Sequence, residues 1–293
     1  MTKTYGGVET GGTWCVCALG SGPDDILEQL KFPTTTPEET LERIVEFFRA
    51  HPIPIAIGIG SFGPVDVDRD SPTWGHVTTT PKPDWQWTPV ATVLRDRLGV
   101  PVAFDTDVNA AALGEHRWGA GRGLPSLCYL TVGTGVGAGL VIDGRPLRGL
   151  AHPEVGHLRV PHDIRRDPFP GVCPAHGDCL EGLASGTSLA ERWKTSPSDL
   201  ADGHPAWALE ANYLALGILS IVCVASPHRV ITGGGVMGRP LLLPMVRRRL
   251  RELLADHLHT PMLTDDIDGY LVPPGLGDRA GVLGAIALAE LNA

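Results

Sequence analysis

One pattern occurs twice. Residues 5–8 read as a strand, Glu9-Thr-Gly-Gly-Thr13 as a polar glycine turn and residues 14–19 as an apolar return strand. The order returns at 127–132, at Gly133-Thr-Gly-Val-Gly137 and at 138–142, with Gly135 lying 124 positions after Gly11. Each stretch is a hairpin with a glycine-rich tip. Two halves that open alike read as an internal duplication, which restricts the fold more than any other feature of the chain.

Around these hairpins, strand and helix signals alternate, so the class is α/β. The periodicity predicts helices at 36–50, 90–98, 108–118 and 240–257 and a closing helix at 280–291. Strands are predicted at 53–59, 100–104 and 229–232, and a long proline-rich loop at 66–89. The longest apolar stretch, 211–227, contains Asn212 and Tyr213 and is too short to span a bilayer, so it reads as a buried helix. The arginines at 247, 248, 249 and 251 read as a solvated helix face.

The 293 residues suggest two domains, and a 43% apolar share is globular. Twenty-four Lys and Arg against 33 Asp and Glu give a charge of −9, a poor match to a nucleic-acid backbone. The N-terminus lacks the apolar core of a signal peptide, so a soluble, cytoplasmic protein with no membrane contact is expected. Cys15, Cys17, Cys128 and Cys223 lie in apolar runs and are expected to be buried thiols.

Backbone N–H groups converge on an anion where glycine lets the chain turn tightly. Three turns qualify, at 9–13, 133–137 and 233–235. Any one could be an ordinary hairpin; three together point to nucleotide phosphate. A P-loop is absent, because no lysine follows a glycine. Gly58-Ile-Gly-Ser-Phe-Gly63 and Gly233-Gly-Gly-Val-Met-Gly238 fit the dinucleotide pattern, but the first runs into Pro64. After the second, the acid at the ribose-binding distance, Asp256, falls inside a helix, which disfavours a nicotinamide oxidoreductase.

Asp105 and Asp107 end an apolar strand ahead of a helix. Asp107 could be the helix N-cap, or a base that takes a proton from a hydroxyl attacking a γ-phosphate. Farther on, Cys173, His176 and Cys179 have a spacing suited to zinc, with His157 or His162 as a fourth ligand. Four protein ligands leave no open position, so the metal would be structural and would fix the neighbouring Glu154 and Glu181.

The segments Val8-Glu-Thr-Gly-Gly-Thr13, Asp105-Thr-Asp-Val-Asn109 running on to Glu115, Leu130-Thr-Val-Gly-Thr-Gly135, Glu154-Val-Gly-His157 and 173–181 occur in the order of the ROK family of sugar kinases. The chain resembles that family over most of its length. Glu9, the Gly60-Ser-Phe-Gly-Pro64 turn, Thr80-Pro-Lys-Pro-Asp-Trp85 and His176 resemble its fructokinase branch. The resemblance implies an actin-like ATPase (ribonuclease H-like) fold, with a small domain over 1–112 on which helix 280–293 packs. A large domain over 113–279 would carry the zinc, and Mg-ATP would lie in the cleft. It implies Asp107 as general base and Glu154, His157, Glu181, Thr106 and Ser61 around the sugar. Gly11, Gly12, Thr13, Gly133, Thr134 and Gly135 would hold phosphates, with Gly234 and Gly235 near adenosine. Zinc would be held by His157, Cys173, His176 and Cys179. A homodimer phosphorylating fructose is expected; other hexoses (glucose, mannose, N-acetylmannosamine) or a non-catalytic sugar sensor are the competing functions. The chain departs from the family at Trp14, where a phosphate-reaching lysine is common, and at Thr106, where glucose-specific members have asparagine.

Overall fold

The computed structural model describes residues 3–293. In chain order its elements are β1 (Tyr5–Thr10), β2 (Trp14–Gly22), β3 (Asp25–Pro33), α1 (Pro37–Arg49), β4 (Ile57–Ser61), α2 (Val90–Leu98), β5 (Val102–Thr106) and α3 (Asp107–Trp118). There follow β6 (Ser126–Val132), β7 (Val136–Ile142), β8 (Arg145–Pro146), α4 (Leu180–Ala184), α5 (Gly186–Trp193), α6 (Ala206–Ala225) and β9 (Val230–Gly233). The chain ends with α7 (Leu242–Leu254), α8 (Pro261–Thr264), α9 (Ile267–Tyr270), β10 (Leu271–Val272) and α10 (Ala280–Leu291).

The duplication is a duplication of sheet topology. One five-stranded sheet runs β3-β2-β1-β4-β5, the other β10-β9-β6-β7-β8. In the first, β2 pairs antiparallel with β1 and β3, while β4 and β5 add in parallel. In the second, β7 pairs antiparallel with β8, while β9 and β10 add in parallel. The crossovers into the parallel strands are helical, as parallel pairing requires.

By contacts the chain forms two compact units. Of the described residues, one comprises 3–125, 139–153 and 275–293, the other 126–138 and 154–274. In the first, Val8, Ile57, Ile59 and Phe104 of the sheet pack with Ile44, Val45 and Phe48 of α1 and Leu94 of α2. Thr36 caps α1 by accepting from the Glu39 N–H, and Pro37 supplies the first turn. On this unit's other side Val282, Leu283 and Ile286 of α10 pack with Tyr5 and Ala18. α10 also packs against α3, and Gly284 permits their close approach: a Cβ there would lie 1.7 Å from the Ala110 carbonyl of α3. The buried Glu115 carboxylate of α3 accepts N–H bonds from Ala120, Gly275 and Leu276 at 2.7–2.9 Å, fixing two turns to the helix.

Several elements differ from their predicted bounds. β3 has no counterpart in the prediction because it is an edge strand, exposed along most of its length, and shows no burial alternation. The strand expected at 53–59 starts at Ile57 because Pro52 and Pro54 keep the preceding chain irregular. Among the described residues one helix, α6, is long and apolar enough to cross a membrane; half of its apolar window is buried within the protein. Cys15, Cys17 and Cys128 are buried as expected, but Cys223 is exposed, because it lies on the outer face of α6. On α7, Arg247 is tied to the Leu271 and Asp268 carbonyls and Arg249 to Asn212, so the arginine face is partly a packing surface.

Candidate active site

The register of the first sheet aligns Thr10, Ser61 and Thr106, the last residues of β1, β4 and β5. The carboxyl ends of parallel strands are where ligands meet an α/β sheet. The Gly11–Thr13 turn follows β1. Its carbonyls are occupied: Thr34 donates its hydroxyl to Gly11 at 2.8 Å and its N–H to Thr13 at 2.9 Å, and Lys82 Nζ donates to Gly12 at 2.7 Å. Among the described residues the Gly12 and Thr13 N–H groups find no protein acceptor, and the buried Thr10 hydroxyl has no partner. Donors left open beside braced carbonyls suit an anion.

Asp105 and Asp107 divide their labour. Asp105 is fully buried and accepts from the Thr106 N–H (2.8 Å), Asn109 Nδ2 (2.7 Å) and Arg148 Nε and Nη2 (3.0 and 2.7 Å). It braces the strand end. The N-cap of α3 is Thr106, whose hydroxyl accepts the Asn109 N–H at 3.1 Å, and not Asp107. Asp107 is the first helical residue, half-buried, with Oδ1 on the Val108 N–H at 2.8 Å. Ser61 is buried and donates to the Phe62 carbonyl at 3.0 Å. Glu9 is half-buried on β1. Burial first, and the Asp107 charge second, push its carboxyl up to about 7, against an opposing hydrogen bond from the Val282 N–H of α10.

In the second unit the Gly133–Gly135 turn follows β6. Gly133 N–H bonds the Gly135 carbonyl at 2.9 Å. The start of α5 braces the turn, with Gly186 N–H on the Gly133 carbonyl at 2.7 Å and the Thr187 hydroxyl on the Thr134 carbonyl at 2.8 Å. Glu181 accepts the Val136 N–H at 3.0 Å, and a Cβ on Gly135 would come within 2.5 Å of its carboxylate. Gly234 and Gly235 follow β9, and Gly234 has a left-handed φ of 90°.

The Cys/His residues meet in this same unit. His157, Cys173, His176 and Cys179 each present a ligand atom within 4.8 Å of the others. His157 Nδ1 lies 3.3 Å from His176 Nδ1 and 3.6 Å from both sulfurs; Cys173 Sγ is 3.7 Å from His176 Nδ1. A tetrahedral zinc with ordinary bond lengths puts its nitrogen and sulfur ligands about 3.3–3.8 Å apart, so the donor set fits such an ion. His162 is not part of the cluster. Its ring bonds Asp178 at 3.2 Å and the Asp167 carbonyl at 2.9 Å, and Arg159 donates to Asp178 and the His176 carbonyl, so these residues hold the ligand loop from behind. Burial pushes the Cys179 thiol up to about 11, an unfavourable position for a thiolate without a cation. The other His157 nitrogen, Nε2, lies 3.9 Å from Glu154, so one ring can serve both metal and ligand.

Arg148, Lys82 and Glu9 were not among the site residues expected from sequence. Arg148 and Lys82 act on groups 43 and 70 positions away, which no local pattern reveals; Glu9 stood within the first turn motif.

Two sheets of one topology, each opening with a hairpin whose glycine turn exposes or braces its main chain, define the actin-like ATPase class. The chain belongs to the ROK family, whose model matches residues 5–291. It is 44% identical over 288 residues to a putative fructokinase of Bacillus subtilis, covering 97% of this chain and 95% of that protein. It is 45% identical over 296 residues to a fructokinase of Zymomonas mobilis, covering 98% and 96%. Among solved structures it is similar to a ROK family glucokinase from Streptomyces griseus in complex with glucose and AMPPNP, with 28% identity, a TM-score of 0.76 and coverage of 98% and 99%.

Proposed function

We propose that this chain transfers the γ-phosphoryl group of ATP to the 6-hydroxyl of D-fructose. The observation that carries the chemistry is the division of labour at the end of β5. Capping falls to Thr106 and bracing to Asp105, so neither requires the Asp107 carboxylate. Asp107 is then the general base. The sugar oxygen attacks the γ-phosphorus, the bond to the β–γ bridging oxygen breaks, ADP leaves, and Asp107 accepts the hydroxyl proton.

Gly11, Gly12, Thr13, Gly133, Thr134 and Gly135 hold the phosphates in this reading, with Gly234 and Gly235 beside the adenosine. Mg²⁺, when bound with ATP, neutralises phosphate charge. Glu154, His157 Nε2 and Glu181 hold the sugar, with Thr106 and Ser61 at the strand ends. Zinc on His157, Cys173, His176 and Cys179 is structural and fixes Glu154 and Glu181, which flank its ligands in sequence. The work of the enzyme is positioning and charge stabilisation. We further infer a homodimer in the cytoplasm, where ATP is supplied.

Fructose rests on the similarity to two proteins named fructokinase at 44–45% identity. The second reading, a kinase for another hexose, is supported by a weaker similarity, 28% identity to the glucose-bound glucokinase. ADP release with Mg-ATP across fructose, glucose, mannose and N-acetylmannosamine separates them. A strong preference for fructose is expected. Preference for another hexose overturns the substrate, and absence of turnover from folded, metal-loaded protein overturns the enzyme.

A further inference from the structure

Lys82 stands out among the charged groups of the first unit. Its Nζ donates to the Gly12 carbonyl at 2.7 Å and to the Thr34 carbonyl at 3.3 Å. It comes from a loop of its own, 70 residues along the chain. Pro81 and Pro83 flank it, the Lys82 N–H donates to the Thr80 hydroxyl, and Trp85, fully buried, donates Nε1 to the Thr35 carbonyl at 2.8 Å. Through Trp85 the loop is therefore fastened to the segment beside the first glycine turn, which limits where the ammonium can go.

The Gly12 carbonyl and the Thr13 N–H belong to one planar peptide and point in opposite directions. An ammonium on the oxygen leaves the N–H facing the open side of the turn, and at Gly12 a Cβ would meet nothing within 4 Å. A charged donor makes a hydrogen bond about twice as strong as a neutral one, and bonds in series through a peptide polarise one another. Neutral donors would satisfy these carbonyls, as Gly186 and Thr187 do at the Gly133–Gly135 turn. Glu9 lies next to this turn, and the charges of Asp107 and Asp278 act on the Glu9 carboxyl, offset by Lys31, so a cation on the turn also balances negative charge nearby. Lys31 in turn lies over the Trp14 ring at 5.2 Å.

We propose that Lys82 is a positioning residue for the nucleotide's β- and γ-phosphates, holding and polarising the Gly12–Thr13 peptide whose N–H binds them. This rests on the reading of the turn as a phosphate site in an ATP-dependent kinase.

The test is calorimetric titration of wild type, K82M, K82Q and K82R with Mg-ADP and with AMP, alongside steady-state kinetics in ATP. AMP lacks the phosphates at issue. K82M is expected to weaken ADP at least tenfold and AMP less than twofold, and to raise KM for ATP by a similar factor. K82Q keeps a donor without the charge and is expected to behave like K82M, whereas K82R stays within about threefold of wild type. K82Q also preserves the test if K82M does not fold. Wild-type ADP affinity in K82Q, or equal loss of ADP and AMP in a folded variant, overturns the proposal. Failure of the wild type to bind either nucleotide overturns the kinase reading itself, a distinct outcome.

Discussion

The two glycine turns have the same place in the two sheets but are held differently. The turn at Gly11–Thr13 has its carbonyls covered by Thr34 and by the Lys82 ammonium. At Gly133–Gly135 the covering donors are neutral groups at the start of α5, and an anion, Glu181, accepts the next N–H. The two hairpins share a backbone path, and each turn has its own support. Under the proposed function the first turn works beside the reacting hydroxyl and its base. The second is tied through Glu181 to the metal loop. Substitutions in the two units should therefore fail in different ways.

The largest effect is expected at Asp107. D107N should lower kcat by about 10²–10⁴-fold while Kd for ADP and the unfolding temperature stay near wild type. Near-normal turnover in the folded variant would remove Asp107 from the chemistry, and with it the functional contrast between the turns.

Next is Cys179, two residues before Glu181. C179S should lose bound metal, measured by elemental analysis, and lower the unfolding temperature, because binding of a structural metal is coupled to folding. Through Glu181 it should raise KM for the sugar more than KM for ATP. Retention of a full metal equivalent would show that the cluster holds without Cys179. Equal changes in both KM values would erase the difference drawn between the units.

Much of this was legible in sequence, for a physical reason. The hairpins, the helix over 36–50 and the Cys-His-Cys spacing are local patterns, and local geometry follows from them. What was missed depends on long-range contact. Edge strand β3 has no buried face to impose alternation. The identity of the α3 cap turned on one residue, because Thr106 and Asp107 are both competent and only the backbone path chooses Thr106. Thr80-Pro-Lys-Pro-Asp-Trp85 was visible as a motif, but its attachment to Gly12 and Thr35 requires the fold.

Arg148 supports the first sheet alone. R148M leaves the buried Asp105 carboxylate without its cation. Truncating a buried pair costs about 3–5 kcal/mol, and Arg148 is itself 31% exposed, so a loss of about 2–3 kcal/mol is expected. Urea unfolding should show it as a lower midpoint, with metal content unchanged. Loss of metal in R148M would mean that the support of the two sheets is shared.

The smallest effect separates the electrostatics of the turns most directly. Glu9 has its carboxyl raised to about 7 by burial and then by Asp107, against an ordinary value of 4.5. The folded chain thus keeps a proton that the unfolded chain releases, and between pH 4.5 and 7 it binds the greater number. Stability from this group is fully present below about pH 4.5, declines as pH rises, and is lost above 7. E9Q removes that dependence. Because Glu9 is partly open to solvent, the variant should gain only about 1–2 kcal/mol over wild type at pH 8, and nothing at pH 4.5. D107N takes away the neighbouring charge, so in that background the benefit of E9Q should shrink. If E9Q gave the same stability increment at both pH values, the Glu9 carboxyl would titrate alike in the folded and unfolded chain, and neither burial nor the Asp107 charge would be acting on it.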